Sequence, residues 1–303
     1  MGVIETDELW SRVAARLRSA GGWSLRPMAQ LGRPREGRRT WLAESVSQTE
    51  LGSVIVKARA NPFAPARAAW AANAMGLLGE RGYPVPALLW RGPLDGRWFA
   101  VVQARLPGHP LRTLDGPTLD RLLALVELQA DQVPRLGEGG WDVSWWIGVV
   151  LFEGWEHWWD AAEAAVPQTS RRLRRFLEPA WGHQLPAVDL VHGDLNLTNV
   201  LASDGEITGV VNWDDIGVGC RAADLAGLLL DWHRLRLAGA QGLAADGAQR
   251  LAGRIVEIAG DQGLRCVVAY GAVARLGLAA QRNESDALRT WRHVVDLLLD
   301  SLQ

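Results

Sequence analysis

The chain has 303 residues, of which 48% are hydrophobic and 22% charged, a balance that suits one packed domain or two and excludes a disordered or collagen-like chain. A net charge of −2 offers no broad positive field, so nucleic acid is not expected as a partner. Cys220 and Cys266 are too few for a disulfide framework, no uninterrupted apolar run approaches membrane-spanning length, and the acidic start MGVIETDELW lacks a signal peptide's basic and apolar regions; a cytoplasmic protein without membrane contact is expected.

The first residues fit the loose Met-Gly-x-x-x-Thr pattern of myristoylation, which is short enough to recur by chance. Residues 6–20 predict an amphipathic helix capped by Thr6, with Trp10, Val13 and Leu17 on one face. Short alternating segments at 24–32, 38–45 and 53–59 predict antiparallel strands. An Ala-rich helix over 64–82 follows, then the breaker YPVP at 83–86. A further hairpin is expected over 87–91 and 97–103, turning at Pro93–Gly96. Beyond Pro107 the pattern becomes helical over 117–133, 142–165, 169–178, 221–237 and 244–302. Two small strands around a loop interrupt it at 189–213. A strand-rich part, 1–105, and a helix-rich part, 106–303, predict an α+β chain of two lobes with a cleft between them.

Of the 32 basic residues only Lys57 is a lysine. Where a positive charge alone is wanted this composition uses Arg, so Lys57 is either a leftover or a place that needs a compact ammonium. The stretch 190–226 is the richest in chemistry. His192-Gly193-Asp194 is followed, five residues after the aspartate, by Asn199. Such a pair on one loop suits phosphoryl transfer: the carboxylate orients the proton of an attacking hydroxyl, and the amide oxygen reaches a metal held on nucleotide phosphates. VLASDGEITGVVNW then predicts a hairpin turning at Asp204-Gly205, which returns residues 212–215 towards the loop.

HGDLNLTNVL, followed by GVVNWDD and RAADLA, resembles the aminoglycoside phosphotransferase and choline kinase group, relatives of the protein kinases. VIVK ending at Lys57, YPVPALL and VVQARLPGHPL resemble the same group, so the likeness covers nearly the whole chain. It implies a bilobal protein-kinase-like fold, a small antiparallel-sheet lobe and a larger helical lobe, with ATP or GTP and Mg2+ as cofactors. By resemblance Asp194 is the catalytic aspartate, Asn199 a metal ligand, and Lys57 the lysine on the α- and β-phosphates. Gln103, Ala104 and Arg105 match the hinge that meets the adenine edge. His192 and Asp224 match residues that brace the catalytic loop.

Two departures stand out. Where the group has a magnesium-binding aspartate this chain has Asn212, a weaker ligand for a hard cation. Asp214, or less readily Asp215, could compensate, since 212 and 214 share a face if the segment is a strand. The alternative is that Asp214 and Asp215 only solvate a turn. The helix after Lys57 also lacks the usual pairing glutamate: Ala71 stands near its place and Glu80 comes late, so an unpaired lysine is expected. The turn Gly32–Gly37, with Arg33, Arg35, Arg38 and Arg39 in or beside it, is no P-loop. Its arginines either reach phosphates or are solvated.

On the acceptor side, 141–160 holds six of the sixteen tryptophans. Glu153, Glu156, Asp160 and Glu163 recur at helical spacing and, with Trp155 and Trp159, could meet an ammonium-bearing substrate. The plainer reading is a buried Trp core under a solvated acidic face. The expected function is transfer of phosphate to a hydroxyl of a small molecule such as an antibiotic, amino alcohol or biosynthetic intermediate. The alternatives are a peptide Ser/Thr kinase of natural-product maturation, or a kinase fold that has lost transfer, repurposed its pocket or serves a partner protein.

Overall fold

A computed structural model describes residues 8–31, 38–47, 52–60, 64–94, 98–136 and 139–302. The Thr6 cap, the myristoylation pattern and the Gly32–Gly37 turn lie outside these residues, as do positions 95 and 96 of the turn expected at Pro93–Gly96. The chain divides into two compact units, Met1–Pro107 and Gly108–Gln303.

The first unit begins with α1 (Glu8–Gly21), followed by β1 (Leu25–Gln30), β2 (Arg38–Ser45) and β3 (Ser53–Ala60). Then come α2 (Ala64–Glu80), β4 (Leu88–Pro93) and β5 (Trp98–Ala104). The five strands form one antiparallel sheet in the order β1-β2-β3-β5-β4. The apolar stripe of α1 is the reason it stays helical: Trp10, Val13 and Leu17 are buried against Trp41, Ala43, Val54, Val56 and Val102. The rings of Trp10 and Trp41 meet edge to face at 5.4 Å. Alternation along β3 turns Val54, Val56 and Ala58 into that core and puts Lys57 on the opposite face.

The second unit contains β6 (His109–Pro110), α3 (Gly116–Glu127) and α4 (Val143–Gly148). α5 (Trp158–Ala165), α6 (Pro167–Leu177), β7 (Asp189–Val191), β8 (Val200–Ser203), β9 (Glu206–Val210) and β10 (Gly217–Gly219) follow. The chain closes with α7 (Ala222–Leu237), α8 (Gly247–Gln281) and α9 (Ser285–Ser301). β7 pairs with β10, and β8 lies between β6 and β9. α7 is apolar around most of its circumference and is buried accordingly, packed on α8 and α9. α8 is long and apolar enough to cross a membrane, yet 61% of its apolar window is buried inside the protein, and the helix kinks at Gly260.

Two helical stretches prove divided, and one strand is corrected. Over 142–165, helical as expected, α4 runs into a π-helical turn over Val149–Glu153, and the chain then breaks before α5. Gly154, Glu156 and His157 all have positive φ, which no continuous helix allows. The helical stretch 244–302 is built as two helices, parted near Asn283 at φ 54°. The segment after β9 is not a strand either. Asn212 is left-handed at φ 68°, ψ 48°, and Trp213–Asp215 form a 3-10 turn, so alternation does not relate Asn212 to Asp214.

Candidate active site

The loop between β7 and β8 is held from beneath by one carboxylate. Asp224, in the first turn of α7, accepts hydrogen bonds from the backbone N–H of His192 at 2.8 Å and of Gly193 at 3.1 Å. A third donor, the Gln129 amide, reaches it at 3.0 Å. Burial raises the Asp224 carboxyl above its ordinary range, and the His192 neighbourhood and these donors oppose the rise. His192 is fully buried. Its Nε2 lies 2.9 Å from the Val211 carbonyl, and its Nδ1 accepts from the Asp194 N–H at 3.2 Å. These roles define an imidazole with its proton on Nε2, a brace rather than a base.

Gly193 sits at φ 82°, and a Cβ there would stand 2.3 Å from the Asp215 carbonyl oxygen. The loop and the turn that follows Asn212 therefore touch backbone to backbone. Val211 is gripped from both sides: its N–H bonds to the Asn199 carbonyl at 2.8 Å and its carbonyl to His192. Asn212 thus leaves the sheet beside Asn199, and its left-handed backbone is one that Asn tolerates better than most residues.

Asp194 is exposed and its carboxylate is oriented by two amides. Asn196 Nδ2 donates to the Asp194 backbone carbonyl and to Oδ1, each at 3.0 Å. Asn199 Nδ2 donates to the same carbonyl at 2.8 Å and to Oδ2 at 3.2 Å. Both bonds of Asn199 use its nitrogen, so the carbonyl oxygen is the end that can face a cation. Asn196 also caps the 3-10 turn Leu197–Asn199 through Thr198, and the Leu197 N–H is anchored on buried Asp231 at 2.7 Å. Sequence reasoning passed over Asn196, Gln129 and Asp231. Only Asn196 carried a signal, a second amide inside the motif.

Asn199, Asn212, Asp214 and Asp215 supply hard oxygens, a donor set that fits Mg2+ and not zinc. Among the described residues no group of three or more His, Cys, Asp or Glu gathers as an alternative metal site.

In the first unit Lys57 is 8% exposed and lies opposite Thr40 and Val101 in the sheet. It interacts with a neighbouring group, which corrects the expectation of an unpaired lysine. Glu80 is the exposed last residue of α2, and Ala71 is half-buried. Gln103 is buried in β5, opposite both Ile55 and Leu88. The Ala104 N–H is committed to the Ala87 carbonyl at 2.9 Å, and Arg105 follows exposed beyond the strand.

The acidic residues 153–163 do not form one face, because the chain turns at Gly154–His157. Glu163 is paired with Arg174, and Asp160 with His157 at 3.2 Å. Trp159 is buried with Arg174 stacked on its ring at 4.3 Å, whereas Trp155 is 57% exposed. Glu153 and Glu156 are exposed. A groove of about 350 Å³ runs along α4, lined by Trp145, Phe152, Glu153 and His183, and none of residues 192–199 reaches it.

A model of the phosphotransferase enzyme family matches residues 37–255. No curated protein matches the sequence significantly. Among solved structures, a variant of aminoglycoside phosphotransferase APH(4)-Ia in ternary complex with ADP and hygromycin B is similar at 17% identity. That match covers 95% of this chain and 98% of the other, with a TM-score of 0.67. Macrolide 2'-phosphotransferase MphH from Brachybacterium faecium matches at 17% identity, 95% and 98% coverage and TM-score 0.55. Aminoglycoside phosphotransferase APH(3'')-Id from Streptomyces rimosus matches at 15% identity, 87% and 98% coverage and TM-score 0.55. At such identities the likeness establishes a protein-kinase-like fold.

Proposed function

We infer, because the chain belongs to the phosphotransferase enzyme family, that it transfers the γ-phosphoryl group of ATP to a hydroxyl of a small molecule. The observation that carries this reading is the exposed Asp194 carboxylate, aimed by the amides of Asn196 and Asn199 on a loop whose backbone is braced from below. An acceptor hydroxyl at Asp194 gives up its proton to the carboxylate as its oxygen bonds to the γ-phosphorus. The bond from that phosphorus to the bridging oxygen breaks, and ADP leaves with the electron pair. The ADP bound by the aminoglycoside phosphotransferase APH(4)-Ia variant supports ATP as donor, and the antibiotic classes in the names of the similar proteins support a small-molecule alcohol.

Lys57 would hold the α- and β-phosphates, and Gln103 and Arg105 would offer backbone to the adenine. Asn199, Asn212 and Asp214 or Asp215 would hold Mg2+, which when bound neutralises phosphate charge. With an amide at 212 that grip is weaker than a carboxylate would give.

The test is release of ADP from MgATP over a panel of alcohols, with water as the reference acceptor. Asp194→Asn should lower the rate by about 10²–10⁴-fold. Asn212→Asp should lower the magnesium concentration needed for half-maximal rate. Absence of ADP release with every acceptor, or a wild-type rate in Asp194→Asn, would overturn the reading.

A further inference from the structure

Beside the catalytic loop, the second unit carries an aromatic surface that the phosphotransfer chemistry does not use. Trp141 and Trp146 stand 5.3 Å apart, Trp145 lies 6.5 Å from Trp146, and Trp155 meets Trp146 edge-on at 6.5 Å. Interlocked rings of this kind keep their orientation without a ligand. Yet Trp145 and Trp155 are 56% and 57% exposed, an apolar area that water disfavours.

The surface is continuous with the loop. The Trp141 carbonyl accepts from the Val218 N–H at 2.7 Å and would stand 2.3 Å from a Cβ at Gly217, so it lies against β10, the strand that follows the 213–215 turn. Tyr270 of α8 closes the gap. Its ring is 6.1 Å from that of Trp158, and its hydroxyl interacts with the Trp146 side chain and lies within electrostatic reach of Asp215 and Asp194. Burial pushes the phenol up to about 12, Asp215 and Asp194 adding to the effect while Trp146 and Arg275 oppose it.

We propose that Trp146, Trp155 and Tyr270 hold the acceptor, and that the acceptor is an alcohol on an uncharged body with a broad apolar face rather than a polycationic aminosugar. The proposal rests on the phosphotransfer reading for the identity of the reacting group, and on the rings for the class of molecule. Apolar faces of a macrocycle or an aryl group cover exposed indole and remove it from water. Of the acids on this segment, Asp160 and Glu163 face His157 and Arg174, while Glu153 and Glu156 are exposed and parted by the positive-φ break at Gly154. Tyr270 then offers its hydroxyl to the acceptor.

Calorimetric titration of the full chain tests this without turnover. The probes are phenyl β-glucoside, salicin and an uncharged macrolide aglycone on one side, kanamycin and hygromycin B on the other. At least one uncharged probe should bind, more tightly than either aminosugar. Trp155→Ala, a change at an exposed ring, should weaken that binding by about tenfold or more, the scale of one uncovered aromatic side chain. Tyr270→Phe should weaken it too while leaving the fold intact by circular dichroism. Tighter binding of an aminosugar, no binding of any uncharged probe at millimolar concentration, or binding unchanged in both variants would each overturn the proposal. Failure of phosphotransfer is read separately, as absence of ADP release with every acceptor; binding of an uncharged probe in that case would sink the transfer reading and keep the binding site.

Discussion

Gly193 shows how one residue couples two parts of the site. Its positive φ costs an L-residue about 1 kcal/mol or more, and a Cβ would collide with the Asp215 carbonyl, which belongs to backbone and cannot swing away. Gly193→Ala should therefore lower stability by about 2–3 kcal/mol in urea unfolding and shift Asp194 with the loop. A midpoint equal to wild type would mean that the loop and the 213–215 turn are not in contact. Asn212 is a contrasting case. Its left-handed backbone accepts Asn or Asp equally, so the choice between amide and carboxylate there is made by charge and not by conformation.

At the scale of elements, α7 does two jobs through carboxylates on one helix. Asp224 gathers three N–H donors at the base of the 192–194 segment, and Asp231, two turns on, takes the Leu197 N–H and the Arg234 guanidinium. Three donors around one buried side chain require acceptor oxygens on both arms. Asp224→Asn keeps the shape but turns an NH2 towards a donor, and should cost about 1–3 kcal/mol in chemical denaturation. Equal stability of the variant would show that the side chain already presents a proton there. The break after α4 is the other decision at this scale. Gly154 at φ 74° lets the chain leave the helix, and α5 then lies against α8 so closely that a Cβ at Gly277 would stand 2.5 Å from the Trp158 Cβ. Close approach of two backbones, which glycine permits, won over the continuous helical spacing of the sequence.

For the whole molecule the pH dependence of stability has a clear internal source. His233 of α7 is buried near Ser301 of α9, and burial, with Arg236 adding to it, lowers its pKa from 6.5 to about 4. The group titrates lower in the folded state than in the unfolded state. Above pH 6.5 both states hold it neutral and it has no effect. Between about 6.5 and about 4 the unfolded chain takes up a proton that the native protein refuses, so stability falls as the pH falls, by up to about 1.4 kcal/mol per pH unit. Below about 4 both states are protonated and the dependence ends. Urea midpoints measured across this range should fall more steeply for wild type than for His233→Leu. Parallel curves would remove His233 from the account.

The sequence by itself determined the division into a strand-rich and a helix-rich part, the amphipathic α1 and the motif from His192 to Asn199, because each is written in short-range signals: a helical stripe, alternation, and a carboxylate and an amide five residues apart; the protein-kinase-like class came from the resemblance those motifs carry. It also singled out Lys57, through the scarcity of lysine. Only the tertiary structure decided what each of these residues touches. Gln129 and Asp231 have no local signature and matter solely because folding brings them under the loop. Asn212 departs from strand geometry because Val211 is held from both sides and the chain must turn to pass Gly193. The tryptophans of 141–160 carry no mark in the sequence that separates core from surface. Trp159 is buried under Arg174 while Trp155 stands open, because the turn at Gly154–His157 rotates the two halves of the segment to different neighbours.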